Sequence, residues 1–231
     1  MATSAQAVGR SLVAKAMDAV KTHIRESQLG VGDTLPSEGV FAEKLGVSRA
    51  VMREAFGALA ALKLIDVANG RRAKVGAIDG SVIAASLDHA LSTAQIEVAD
   101  VWDVRRTIEM RTAALAARNA SPTQAARIIE LAEAMGEHQP HEQTTEEDIE
   151  FHLAIAKASG NPLFEQIVTS FVPLMRVAVP RAWMTRRTEQ EKADILDRHK
   201  RLASAIAERD SEAAESAMAA HFDEAIGSLL R

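Results

Sequence analysis

The 231-residue chain has no cysteine, which excludes disulfide bonds and metal sites made of thiolates. Its longest apolar runs are far too short to span a bilayer, so we expect no transmembrane segment. Residues 1–10, MATSAQAVGR, lack the basic start and the apolar segment of a signal peptide. Together these absences predict a soluble, cytoplasmic protein without a membrane partner.

Strand patterns are missing from residues 97–231, where alanine, leucine and glutamate dominate with a helical period of about 3.6 residues. Breaks fall at Ser121-Pro122, at Gln139-Pro140 and at Gly160-Asn161-Pro162. The pattern predicts an all-α bundle. We expect its helices near residues 97–119, 122–137, 143–159, 162–180, 189–208 and 210–230.

Charge divides the chain into a basic and an acidic part. Residues 1–78 hold 11 Lys+Arg and 7 Asp+Glu, a net charge of +4, which leaves −9 for the rest of a chain whose total is −5. The basic part is the candidate for DNA binding, and the acidic part argues against DNA wrapping around the whole protein. We predict a DNA-binding domain at 1–78, a linker helix at 79–96 and a helical domain at 97–231.

Residues 35–64, LPSEGVFAEKLGVSRAVMREAFGALAALKL, have the pattern of two short helices joined by a tight turn. Ser37 and Ser48 can each cap a helix, and Gly46 can supply the positive φ that ends the first one. The second helix has an apolar stripe at helical spacing. The stripe consists of Met52, Ala55, Phe56 and Leu59.

Arg49 and Arg53 share one flank of this second helix, near its N-terminus. A major groove admits one α-helix, and guanidinium groups match guanine edges and phosphate oxygens. This predicts a DNA-reading helix, although an ordinary helical hairpin with surface arginines would give the same pattern. The predicted DNA contacts in this helix are Ser48, Arg49, Ala50 and Arg53.

Residues 65–75, IDVANGRRAKV, read as two β-prone runs around Asn69-Gly70, the dipeptide best suited to a type I′ hairpin. A helix, a helix pair and a hairpin in this order are typical of a winged helix-turn-helix. We expect the hairpin tip to reach the DNA backbone or minor groove. The predicted contacts of this wing are Asn69, Gly70, Arg71, Arg72 and Lys74.

The motifs LPSE and GVSRAVMREA, followed by a hairpin that ends in valine, resemble the N-terminal domain of the GntR family of bacterial transcription regulators. The resemblance implies a double-stranded DNA operator as partner and a homodimer. Relatives typically have a DNA-contacting arginine after the PSE triplet, where this chain has Gly39. Their wing tip tends to be glycine-rich, whereas this one carries Arg71 and Arg72.

Three histidines lie on apolar stripes of different predicted helices, namely His152, His199 and His221. Asp148 stands one turn before His152, a spacing at which one helix can supply two metal ligands. Neutral imidazoles and one carboxylate suit Zn²⁺, Ni²⁺ or Mn²⁺. A hydrogen-bonded place in the core is the alternative for each of these histidines. His138 and His141 flank a proline, and we expect them to be solvated.

The motif VRRTIE, the motif DIEFH with ASGN after it, and a late pair of helix histidines make residues 101–231 resemble the FCD effector-binding domain of the FadR subgroup. In metal-binding members of that family an aspartate and three histidines hold the metal. The resemblance implies that Asp148, His152, His199 and His221 do so here.

Arg105 stands on the inward stripe of its helix, where an arginine requires an anion. The residues alone leave open whether it pairs with Glu109, one turn later, or binds a ligand. In the family, the first arginine of the VRR-like motif is associated with a small carboxylate beside the metal. The resemblance therefore implies a small carboxylate effector at Arg105.

These patterns predict a mainly α protein that acts as a ligand-responsive transcription regulator. Its operator affinity would be modulated by a small organic acid bound at a metal centre. A regulator that senses the metal itself is one alternative. A metal-dependent hydrolase is another, but no further general base is apparent and a catalytic domain needs no winged helix, so we do not expect an enzyme.

Overall fold

The computed structural model describes residues 2–135, 142–184 and 188–229. Contacts within the chain divide it into two compact units, at 1–82 and 83–231. The expectation that His138 and His141 are solvated falls on residues outside the described ranges.

The first unit has the order of elements expected of a winged helix-turn-helix. Ser37 Oγ accepts the Val40 amide at 3.3 Å and Ser48 Oγ accepts the Val51 amide at 3.2 Å, so both predicted serine caps are confirmed. Gly46 ends the first helix of the pair with a φ of 64°. The elements are α1 (Ala2–Glu26), α2 (Glu38–Leu45), α3 (Arg49–Ala61), β1 (Ile65–Asp66) and β2 (Lys74–Val75).

The core of this unit lies between α1, α3 and the hairpin. The predicted apolar stripe of α3 is buried throughout. It packs with Val20 of α1 and Phe41 of α2, and the rings of Phe41 and Phe56 stand edge to face at 5.9 Å. Burial of this stripe fixes which side of α3 faces solvent, and the exposed side carries Arg49 and Arg53.

The wing pairs as an antiparallel hairpin, but its turn differs from the predicted type I′. Ile65 pairs with Val75 and Asp66 with Lys74, so residues 67–73 form a longer connection. Its tip is closed by the Arg71 amide, which donates to the Ala68 carbonyl at 3.1 Å. Gly70 has a φ of 71° while Asn69 keeps a negative φ, which is the pattern of a type II turn. A type I′ turn needs positive φ at both central residues and a two-residue loop, so that prediction was wrong.

In the second unit, helices follow one another with no strand among its described residues. Helix α5 lies against α7, α10 and α11 and forms the centre of the bundle. Helix α4 falls inside the segment predicted as a linker, whose role stays a prediction. The helices are α4 (Ser81–Ser92), α5 (Val98–Asn119), α6 (Pro122–Ala134), α7 (Glu142–Ala158), α8 (Pro162–Ser170), α9 (Val172–Met184), α10 (Glu189–Ala207) and α11 (Ser211–Leu229).

The single helix predicted at 162–180 is wrong, because the structure has two helices that meet at Phe171 at an angle of 50°. Pro173 has no amide hydrogen to continue the α8 ladder, but it is tolerated in the first turn of a new helix. The predicted start is confirmed, since the Asn161 side chain accepts the Leu163 amide at 3.0 Å and Pro162 follows it.

No single helix within the described ranges is both long and apolar enough to cross a membrane. The bent pair α8 and α9 passes that test of length and composition when both helices are counted together. Val168, Phe171 and Met175 of this pair are buried, and buried core helices pass the same test.

Gly76 provides a test of how closely the hairpin packs. A β-carbon at Gly76 would overlap the Lys63 carbonyl oxygen, so Gly76→Ala should destabilise the first unit by about 1–3 kcal/mol. Gly57, inside α3, has open space at that position, and Gly57→Ala should stabilise by about 0.5–1 kcal/mol. Urea denaturation measures both changes. Equal stability of Gly76→Ala and the wild type would contradict the close approach.

Candidate DNA-binding surface and metal centre

Four arginines line one open groove of about 380 Å³ in the first unit. Arg49 and Arg53 come from α3, and Arg71 and Arg72 come from the wing. All the predicted DNA contacts are exposed. They are Ser48, Arg49, Ala50, Arg53, Asn69, Gly70, Arg71, Arg72 and Lys74.

The two arginines of α3 have different surroundings. Arg53 has an 80% exposed side chain, and its Nε lies 3.8 Å from Glu38 Oε2, a surface ion pair that is easily exchanged for another anion. The Arg49 guanidinium lies about 3.8 Å from the position that a β-carbon on Gly39 would take. The Arg49 guanidinium therefore lies directly beside Gly39, at ordinary van der Waals distance from where its side chain would begin.

Arg72 has a structural contact that the sequence did not predict. Its Nε donates to the Leu35 carbonyl at 3.1 Å and ties the wing to the segment before α2. Lys74 extends the same connection, because it forms a β-bridge with Thr34. The wing is thus anchored on both sides, to β1 and to the segment that leads into the helix pair.

In the second unit, the predicted aspartate and histidines come together in the core. Helix α7 supplies Asp148 and His152, α10 supplies His199 and α11 supplies His221, and all four are buried. One possible ligand atom from each lies within 4.8 Å of the others. The three imidazole centroids lie 4.6 to 6.4 Å apart.

Hydrogen bonds set the orientation of His199. Its Nδ1 lies 2.8 Å from the Ile195 carbonyl oxygen, which can only accept, so this nitrogen carries a proton. Its Nε2 lies 3.1 Å from Asp148 Oδ1. On the other side of the same carboxylate, His152 Nε2 lies 4.0 Å from Oδ2. Two imidazole nitrogens therefore converge on Asp148.

Charges in the cluster follow from burial and from these contacts. Burial alone would raise the pKa of Asp148, but the His199 hydrogen bond and the neighbouring histidines outweigh it and hold that pKa below its usual value. Burial, together with His199 and His152, holds the pKa of His221 well below its ordinary value. A neutral imidazole is the form that binds metal. His221 Nδ1 is buried without a hydrogen-bond partner in the described part of the chain.

Arg105 is almost fully buried, and the ion pair with Glu109 that the sequence left open is present. Arg105 Nε donates to Glu109 Oε1 at 2.8 Å. Burial disfavours the Glu109 carboxylate, but the charges of Arg105 and His152 outweigh this and lower its pKa. Arg105 Nη1 has no hydrogen-bond partner among the described residues.

Glu109 also contacts the metal-ligand candidates, which sequence reasoning missed. Its Oε2 contacts His152 Nδ1. Burial would lower the pKa of His152, but the charge and hydrogen bond of Glu109 outweigh burial and raise it. The only sequence signal was the position of Glu109 on the inward stripe of Arg105, and nothing in that pattern pointed to another helix.

Aromatic rings surround the Arg105 guanidinium. Its carbon lies 4.9 Å from the ring centroid of Trp102, 5.2 Å from that of Phe222 and 6.0 Å from that of Phe171. Such contacts stabilise a buried cation. Trp102 precedes Arg105 by three residues on α5, a spacing that helical periodicity can find, whereas Phe171 and Phe222 come from other parts of the chain and have no such signal.

Two family models match the chain. The model described as "Bacterial regulatory proteins, gntR family" matches residues 12–75, and the FCD domain model matches residues 100–224, more than half of the chain. The chain belongs to the GntR family. It is a DNA-binding transcription regulator with a GntR helix-turn-helix domain and an FCD effector domain, as the sequence motifs had indicated.

Relatives support the same assignment over most of the chain. The regulator LutR of Bacillus subtilis is 29% identical, over 86% of this chain and 92% of its own. The galactonate operon transcriptional repressor of Escherichia coli K12 is 31% identical, over 80% and 82%. The structure of Streptococcus agalactiae GntR is 25% identical with a TM-score of 0.67, over 92% and 97%. These relatives are regulators and not enzymes, which argues against the hydrolase alternative.

Substitution of Arg49 or Arg53 tests the DNA-binding surface. Arg49→Ala and Arg53→Ala should each weaken operator binding by about 1–3 kcal/mol if the side chain reads a base, with little change in fold because both are exposed. Fluorescence anisotropy on an operator selected from random DNA measures this change. Arg201→Ala, an exposed arginine on α10, is the matched control. Wild-type affinity in both α3 variants would remove this face from the DNA interface.

Proposed function

We propose that the operator affinity of this regulator is set by a small organic acid bound at a divalent transition metal in the helical unit. The supporting observation is the buried convergence of Asp148, His152, His199 and His221. In this proposal the four side chains hold the metal. Arg105, connected to His152 through Glu109, binds the carboxylate of the acid.

The acceptors that face one another in the cluster support a cation there. Unprotonated imidazole nitrogens and carboxylate oxygens all carry lone pairs, so their convergence in a buried site is costly without a cation between them. A proton satisfies one such pair, whereas a metal ion satisfies the whole set. A neutral His221 ring whose buried Nδ1 has no hydrogen-bond partner among the described residues fits a ligand better than a core histidine held by hydrogen bonds.

The donor set fits several ions, and the choice bears on how an acid could bind. Three imidazoles and one carboxylate suit Zn²⁺, Ni²⁺ or Mn²⁺. Four protein ligands complete a tetrahedral Zn²⁺ site, whereas an octahedral ion keeps further positions for ligand oxygens. An acid that coordinates the metal therefore favours a six-coordinate ion. When bound, the ion would supply a Lewis-acidic anchor for an oxygen of the effector.

Arg105 supports a carboxylate ligand. Glu109 accepts the hydrogen bond from Arg105 Nε, which leaves the buried Nη1 of Arg105 available for a second anion. A carboxylate matches a guanidinium edge with two oxygens, and a neighbouring hydroxyl, keto or second carboxylate oxygen can reach a metal. The effector class is thus a hydroxy-, keto- or dicarboxylic acid. The Escherichia coli relative is named for galactonate, an acid of this class.

The DNA side of the proposal rests on the first unit. A homodimer would place two α3 helices in successive major grooves of a pseudo-palindromic operator in the cytoplasm. The wing residues would contact backbone or minor groove. The acid can change operator affinity only if it binds differently to the DNA-competent and DNA-incompetent states.

A regulator that senses the metal itself is the second candidate, because four side chains alone complete a tetrahedral ligand set. Operator affinity titrated with galactonate at fixed metal, and with metal in the absence of acid, separates the two. A response to the acid at constant metal supports the first proposal. A response to metal alone supports the second.

Metal content tests the ligand set. The purified protein should carry about one divalent transition metal per chain, and His152→Ala should lose it, because three remaining donors hold the ion more weakly. Elemental analysis after gentle purification measures this. His89→Ala, an exposed histidine on α4, should keep the metal. Equally little metal in the wild type and in His152→Ala would make these histidines core residues.

Arg105→Met tests the carboxylate site. This change keeps a long apolar stem and removes the charge, so galactonate binding should be lost while the metal is retained. Calorimetric titration with galactonate and other 2-hydroxy acids measures binding, and Arg106→Met, at a partly exposed ion pair with Asp223, is the control. If Arg105→Met unfolds, Arg105→Lys is the substitute, because it keeps the positive charge but loses the two-nitrogen edge of the guanidinium. Arg105→Lys should bind galactonate more weakly than the wild type. Unchanged acid binding would leave Arg105 as only the partner of Glu109.

A further inference from the structure

We propose that Glu109 is a positioning residue for the metal centre and that it sets the tautomer in which His152 presents a lone pair to the ion. This inference rests on the proposed function. Glu109 is buried and uses both carboxylate oxygens: Oε1 accepts from Arg105 Nε at 2.8 Å, and Oε2 contacts His152 Nδ1. One side chain on α5 thus connects the arginine to a ring on α7.

The contact decides which nitrogen of His152 carries a proton. A carboxylate can only accept, so Nδ1 must donate, and in the neutral ring Nε2 then keeps its lone pair. Nε2 is also the nitrogen that lies 4.0 Å from Asp148 Oδ2, on the side of the ligand cluster. In metal sites, a carboxylate behind a histidine fixes the tautomer and raises the basicity of the ring.

A glutamine at position 109 cannot perform both tasks, although it has nearly the same shape. An amide has one accepting and one donating end, whereas Arg105 Nε donates to Glu109 and His152 Nδ1 faces the second carboxylate oxygen, which can only accept. If the amide oxygen faces Arg105, the NH₂ group faces His152 Nδ1 and drives the proton to Nε2, where it blocks the metal. If the oxygen faces His152, the NH₂ group opposes the guanidinium.

The competing explanation is that Glu109 serves only to neutralise a buried arginine. Glu109→Gln alone does not separate the two, because it leaves Arg105 without its counter-charge and can unfold the bundle. The double variant Arg105→Met/Glu109→Leu removes both charges and leaves no acceptor behind His152, whereas a glutamine freed from Arg105 could turn its oxygen to the ring. The double variant therefore tests only the effect of the group that faces His152.

The test compares metal affinity by chelator competition with Zn²⁺, Ni²⁺ and Mn²⁺ in the full-length protein. Glu109→Gln should bind metal about 10–100-fold more weakly than the wild type, and the double variant should bind about 10–100-fold more weakly than Arg105→Met, which is its reference. The control is Glu146→Gln on α7, an exposed carboxylate paired with Arg176. Equal metal affinity in a folded double variant and in Arg105→Met would overturn the proposal and leave Glu109 as a counter-charge.

A second readout does not depend on the metal. The ¹⁵N chemical shifts of His152, measured without metal in alkaline buffer, should report a proton on Nδ1 in the wild type. In the double variant the proton should move wholly or partly to Nε2. An unchanged tautomer would overturn the role of Glu109, whether or not metal binds. Absence of metal from the wild type would count against the proposed function instead, so the two failures are distinguishable.

Discussion

The helical unit depends on a buried polar network in which charge must be balanced internally. Contacts connect Arg105 to Glu109, Glu109 to His152, and His152 to Asp148. His199 joins the network through its contact with Asp148. Buried ions are tolerated only when partners and hydrogen bonds compensate the loss of water, and removing one member leaves the next uncompensated. The surrounding core supports this network directly, since the rings of Trp102 and Phe222 cover the guanidinium.

This network also connects the two halves of the proposed effector site. Its arginine end has a free nitrogen suited to a carboxylate, and its histidine end has lone pairs suited to a cation. A ligand that binds both ends would place a carboxylate at the arginine and an oxygen on the metal ion. Its negative charge would then offset the positive charge of the ion. Small hydroxy or keto acids meet both requirements with few atoms, whereas a protonated amine would meet neither.

The sequence predicted the elements that periodicity and capping determine. The serine caps of α2 and α3 and the inward histidines of three helices follow from residue spacing, and the structure brings those histidines together with Asp148. The predictions were wrong or incomplete where residues distant in the sequence determine the local structure. The helix predicted at 162–180 places Pro173 in its interior, and the dipeptide Asn69-Gly70 by itself favours a tight turn. The contact between Glu109 and His152 joins two helices without any local signal.

In the proposed metal centre, three imidazoles and the Asp148 carboxylate hold one metal ion. X-ray absorption spectroscopy at the metal edge of the purified protein tests it most directly, because outer-shell scattering from imidazole rings identifies histidine ligands. We expect nitrogen and oxygen donors at about 2.0–2.2 Å with scattering from three imidazoles. A spectrum without imidazole scattering, in protein that retains its metal, would contradict it.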